Sequence, residues 1–145
     1  MRVVALLLFF LSFAAVAHAQ SQGEQGMPPS SAFDGNWIGT VSCEDAHGAL
    51  GYHWSFLATV QQGRFHGIHG TLGQPDSFEL TGTINPDGTA HFFGKGLTGG
   101  NPNTNVGRVG AGAVYSYHAN GMFTANHGHA RRVELRPCTL DFHKQ

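Results

Sequence analysis

Tyr52-His53-Trp54-Ser55-Phe56-Leu57-Ala58-Thr59-Val60-Gln61-Gln62 is the stretch that decides how this chain reads. Tyr52, Trp54, Phe56, Ala58 and Val60 fall at alternate positions, with His53, Ser55, Thr59 and Gln61 between them. A period of two places alternate side chains on opposite faces of a strand; a helix repeats every ~3.6 residues. Burying the apolar set is the economical choice, because apolar surface gains about 25 cal/mol per Å² removed from water. Residues 76–85 repeat the pattern, with Phe78, Leu80 and Ile84 opposite Glu79, Thr81 and Thr83. No segment beyond residue 20 keeps helical periodicity over three turns.

Turn chemistry joins these runs. Gln62-Gly63 ends the first strand, and Asn85-Pro86-Asp87-Gly88 is a strong turn. Proline presets φ there, and glycine accepts a positive φ. Asn120-Gly121 reads as a hairpin turn of the type that needs two residues tolerant of positive φ. About eight strands follow, near 36–43, 52–62, 64–72, 77–85, 88–95, 108–118, 122–129 and 131–142. Pro137 interrupts the last, and a bulge there would reconcile Val133 and Leu135 with the opposite phase of Cys138, Leu140 and Phe142. The fold class expected is all-β: an antiparallel up-and-down meander closed as a small barrel, with a β-sandwich as the alternative. Closure removes exposed edges, and glycines at 39, 67, 70, 82, 94, 96, 110 and 112 suit the coiling that a small barrel needs. Residues 99–107, containing Asn101-Pro102-Asn103, form the one long loop and belong at a barrel mouth or lid.

The front of the chain reads differently. Arg2 precedes an apolar run over 3–16 broken only by Ser12, and Ala17-His18-Ala19 is a small-x-small cleavage site. Residues 1–19 are therefore expected to be a signal peptide, too short to span a bilayer, which takes about 20 residues. Residues 20–32 are polar and rich in Gly, Pro and Ser, a flexible leader to a domain over 33–145. The expected product is periplasmic or secreted, monomeric and without a membrane span. Eight Lys and Arg against nine Asp and Glu give a net charge of −1, which argues against nucleic acid as partner. Cys43 and Cys138 are the only cysteines, and export predicts that they pair. A bridge around nearly the whole domain stabilises it by at most about 4–5 kcal/mol in the loop-entropy account.

Gly35-Asn36-Trp37 opens the first strand. A G-x-W there, at the head of an eight-stranded meander, resembles the calycin group of lipocalins, avidin-like proteins and bacterial secreted metalloprotease inhibitors. The resemblance implies that Trp37 plugs the closed end of the barrel, with Arg132 or Arg136 packed across it. From the inhibitors it implies a free N-terminal segment that enters a protease cleft, a part open to the leader.

Candidate chemistry is sparse. Gly94-Lys95-Gly96-Leu97-Thr98-Gly99 matches G-x-G-x-x-G, but loop residues follow where a phosphate-binding helix should begin. Ten histidines are the unusual component. His127 and His129 share a strand face, and His91 could complete a zinc or copper site with them, although polar positions on the solvent face of strands explain them more simply. The many histidines could also change the net charge in mildly acidic surroundings. Glu44-Asp45 diverge, and neither G-x-S-x-G nor H-E-x-x-H occurs, so no enzyme is expected. Tyr52, Trp54, Phe56, Phe78, Phe93, Tyr115 and Tyr117 either line a cavity for an apolar ligand or fill the barrel. The function expected is a binding module for a small apolar ligand or a metal ion. The alternative is a protein-interaction module, such as a periplasmic inhibitor of a secreted hydrolase.

Overall fold

The computed structural model describes residues 30–145. The signal peptide expected at 1–19 and most of the leader expected at 20–32 lie outside the described residues. Eight strands follow in order: β1 Gly35–Cys43, β2 Tyr52–Gln61, β3 Arg64–His69, β4 Ser77–Ile84, β5 Thr89–Leu97, β6 Val114–Phe123, β7 His127–Arg132 and β8 Cys138–Lys144. Each pairs antiparallel with its neighbour, and β8 returns to β1, closing a barrel. The sandwich alternative is thereby set aside.

Alternation makes the walls. In β2, Phe56, Ala58 and Val60 are buried while His53, Ser55, Leu57 and Thr59 are exposed. In β4, Phe78, Leu80 and Ile84 turn inward. An eight-stranded barrel leaves an interior only about as wide as the side chains that fill it, so large inward residues need small ones beside them. Phe56 shows how this is met. Its ring lies across Gly39 and Gly67, where an added Cβ would stand 2.4 Å from ring atoms in either case.

The cysteines pair as expected. Cys43 and Cys138 stand 95 residues apart in sequence, yet they face each other in register across the β1–β8 seam. The bridge therefore fastens the last strand to the first, the pairing with the greatest loop-closure cost.

Turns at one end are short. Gln62 and Gly63 adopt φ of 51° and 71°, the pair of positive values that a two-residue hairpin needs. In 85–88, Gly88 takes φ 88°, Gly88 N donates to Asn85 O at 2.9 Å, and Asp87 accepts from Thr89 N at 2.9 Å. The third turn corrects the sequence reading. Asn120-Gly121 is not a turn: both residues sit inside β6, and the reversal falls at 124–126. Gly121 is there for space, since a Cβ would lie 2.4 Å from His129 O and 2.6 Å from Ala130 Cβ on β7. Moving that turn also moves the expected strands at 108–118, 122–129 and 131–142 to β6, β7 and β8. Pro137 marks no bulge; it ends the connection 133–137 before β8, which separates the two phases.

The opposite end carries the long connections, 44–51, 70–76, 98–113 and 133–137. The long loop therefore extends beyond 99–107, and two single 3-10 turns, Pro102–Thr104 and Val106–Arg108, give it internal structure. No helix among the described residues is long and apolar enough to cross a membrane. That observation and the disulfide are compatible with an extracellular location.

Candidate ligand cavity at the barrel mouth

The short-turn end is closed by aromatic packing. Trp37 is fully buried, and its Nε1 donates to Phe33 O at 2.9 Å. Phe65, Phe92, Phe123 and Phe142 pack around one another with ring centroids 5.1–6.4 Å apart. Trp37 is thus buried at this end, and the cation beside its ring is not an arginine. Lys144 Nζ lies 5.9 Å from the Trp37 ring centroid. Arg132 and Arg136 stand at the other end, because β7 ends and β8 begins there.

At that other end the interior is open. A cavity of about 490 Å³ lies beneath the long loops, within the range of ~300–1,000 Å³ usual for small-molecule sites. Trp54, Phe78 and Tyr115 make its apolar wall, and Tyr52, His69, Asp76 and Ser77 border them. Thr98, Asn101, Thr104, Asn105, Val106 and Val109 of the long loop line it too, as do Arg132, Leu135 and Arg136. The aromatic residues are ordered by mutual contact. Trp54 meets Phe78 edge-on at 4.9 Å and His69 at 4.5 Å; Tyr115 and Tyr117 stack with planes 7° apart.

The covering loops are held in shape by their own polar groups. Thr98 Oγ1 donates to Gly110 O at 2.6 Å and accepts from Ala113 N at 3.0 Å. Asn105 Nδ2 donates to Val109 O at 2.9 Å, and Asn101 Oδ1 accepts from Asn103 N at 3.1 Å. Leu50 N donates to Asn103 O at 2.7 Å, joining the long loop to 44–51.

Arg136 ties the rim together. Its side chain is buried, with Nε donating to Glu44 O at 3.0 Å, one terminal nitrogen to Thr104 O at 2.7 Å and the other to Glu44 O at 2.9 Å and to Leu50 O. Its Cζ lies 4.7 Å over the Tyr52 ring. A planar guanidinium with five donors can hold several carbonyls at once, which a lysine cannot do in the same geometry. Three connections are thus fixed by one side chain that the sequence had suggested for Trp37.

Arg132 is placed otherwise. Its Cζ lies 4.5 Å over the Tyr117 ring, and its buried Nε has no hydrogen-bond partner among the described residues. The Tyr117 hydroxyl is likewise buried and unpartnered. Burial pushes the Tyr115 and Tyr117 hydroxyls well above the usual tyrosine range, with neighbouring tyrosines adding to the effect. Burial also raises Tyr52, against the pull of Arg136. All three therefore remain neutral donors at ordinary pH.

Of the aromatic residues singled out from sequence, Tyr52, Trp54, Phe78 and Tyr115 line the cavity. Phe56 and Tyr117 lie in the core beneath it, and Phe93 faces outward against His118. Asp76 and Leu135 escaped the sequence reading as site residues, since nothing local marks them as neighbours, whereas the loop expected at a mouth or lid, 99–107, does supply Asn101, Thr104, Asn105 and Val106. The left-handed φ of Asp76, 65°, is invisible in its residue type.

Most of the described histidines are exposed on the outer wall, while His69 borders the cavity and His47 lies in the 44–51 connection. His127 and His129 do share one face of β7, but His129 Nδ1 pairs with Asp141 Oδ1 at 2.7 Å, and the His127 ring meets His143 at 4.8 Å. His91 pairs with Asn120 at 2.9 Å. Among the described residues no three His, Cys, Asp or Glu side chains converge as a metal-binding set, so His91, His127 and His129 are not assembled into the zinc or copper site considered above. Gly94-Lys95-Gly96 belongs to β5, and Gly94 and Gly96 give room to the Tyr117 and Tyr115 rings, which explains the G-x-G match by packing.

No protein-family model, curated protein or solved structure matches the chain.

Proposed function

We propose that this protein is an exported, non-enzymatic binding module that holds one small, largely apolar molecule in the mouth of a calycin-like barrel. The observation that carries this reading is the contrast within one interior: a packed closed end beneath an aromatic-walled cavity of about 490 Å³. A barrel that only needed to be stable would continue its filled core to both ends. The signal-like 1–19 segment and the disulfide support a periplasmic or secreted setting.

The two tryptophans sit at opposite ends, Trp54 in the cavity wall and Trp37 in the closed end. A neutral probe such as N-phenyl-1-naphthylamine should therefore quench the emission of Trp54 saturably, with one probe per chain. Trp54→Phe should abolish that response while the emission of Trp37 persists unchanged. A probe that binds without saturation, or that quenches the Trp54→Phe variant equally, removes the cavity as the site. The functional reading then moves to the protein-interaction module, tested by deleting 20–32 and measuring inhibition of secreted hydrolases.

A further inference from the structure

The cavity wall carries three fixed charges, Arg132, Arg136 and Asp76. Arg136 is fully engaged by the carbonyls of Glu44, Leu50 and Thr104. Among the described residues the Arg132 side chain is held only by the Tyr117 ring beneath it. It enters none of the ion pairs among the described residues, and its Nε is buried without an acceptor. The second buried group left without a partner among the described residues is the hydroxyl of Tyr117, a buried residue whose ring lies under the Arg132 guanidinium. Buried donors in folded proteins nearly always find acceptors, so each exception calls for a physical explanation. Here both exceptions can donate, and one belongs to a cation. Neither atom is open to the cavity, but Arg132 lines it through its other atoms and has no carboxylate against it among the described residues, so an anion there would answer its charge.

We infer that the cavity receives an organic anion: a small carboxylate on an aromatic ring, its charge set against Arg132 and its ring against Trp54 and Tyr115. This rests on the cavity's being a ligand site. A carboxylate matches the flat fork of a guanidinium, and a ring fits a wall built of rings. Asp76 precedes β4, three strands around the barrel from Arg132 on β7. It keeps the far wall negative and so fixes which way the anion points.

The test compares 2-naphthoate with 2-naphthamide, nearly identical in shape and differing in charge, by titration of Trp54 emission. The naphthoate should bind about tenfold or more tightly, the effect of one charge-assisted contact shielded from water. Arg132→Gln should erase that preference. Arg131→Gln, which removes an exposed charge one residue away, should leave it intact. Arg132→Lys keeps the charge without the fork and should retain part of the preference; it serves if Arg132→Gln fails to fold. Equal binding of the two compounds to the unaltered protein overturns the inference, because the charge of Arg132 then plays no part in binding; the ligand cavity stands. If neither naphthyl compound binds while N-phenyl-1-naphthylamine does, the anion is again excluded and the cavity survives. If none of the three binds, the ligand cavity and the anion fall together.

Discussion

At the closed end, Phe142 alone packs against Phe56, Phe65, Phe92 and Phe123, with centroids 5.1–6.3 Å away. At the mouth, Trp54 and Tyr115 have rings on one side and open space on the other. The same alternation of inward side chains runs through both ends, so the walls do not cause the difference. The connections do. Turns at 62–63, 85–88 and 124–126 bring adjacent strands together directly. Residues 44–51, 70–76, 98–113 and 133–137 instead stand up around the rim. They cover the interior without filling it, and they satisfy their polar groups among themselves and through Arg136. One end is held mainly by burial of apolar surface, the other by hydrogen bonds and by the Cys43–Cys138 bridge at its rim.

That division is open to direct attack. Phe142→Ala should cost about 3–5 kcal/mol in urea unfolding, the range for truncating a buried aromatic residue. Trp54→Ala should cost only about 1–2 kcal/mol, since one side of the ring already faces the cavity. Equal losses would mean that the mouth is as closely packed as the base. Arg136→Met should cost about 1–3 kcal/mol, because the carbonyls of Glu44, Leu50 and Thr104 lose their donor. Hydrogen exchange should then quicken over 44–51 and 98–113 and stay unchanged at 62–63 and 85–88. A uniform increase would show that Arg136 supports the whole barrel and not the rim.

The smallest effect expected lies on the outer wall, outside both ends. Lys95 and His66 hydrogen-bond to Glu79 and hold its carboxyl below its ordinary value of 4.5. A carboxylate depressed in the folded state stabilises above its unfolded pKa, and that contribution is lost as pH falls through the folded value. The acid loss should therefore begin below about pH 4.5. Glu79→Gln should reduce it by less than about 1 kcal/mol, as befits a solvent-screened group. The comparison to make is urea stability at pH 6 and pH 3. An unchanged pH dependence in the variant would assign the acid limb to other carboxylates.

Some of this was readable in the chain. The alternation in 52–62 and 76–85 reports the inward faces of β2 and β4 because side-chain direction in a strand depends on parity alone. The turns at 62–63 and 85–88 were legible because their backbone requirements are local. Asn120-Gly121 was misread for the same reason: a glycine needed for positive φ and a glycine needed for space are the same letter. Tyr52, Trp54, Phe56, Phe78, Tyr115 and Tyr117 all announced an inward aromatic position, but not its height in the barrel. That height separates Phe56 and Tyr117, in the core, from the four in the cavity wall.

The sequence by itself determined an all-β chain, the inward faces of its clearest strands and the only disulfide two cysteines allow. Those features depend on residues a few positions apart, or on there being no other choice. The tertiary structure decided that β8 closes on β1, which end stays open, and that Lys144, not an arginine, attends Trp37. It also decided that Arg136 grips three connections while Arg132, beside the cavity, enters no ion pair among the described residues. Each of these requires groups distant in the chain to meet. Arg136 and Glu44, 92 residues apart, become neighbours only when the sheet curls through eight strands and returns to its start. No local pattern records where such a return will bring them.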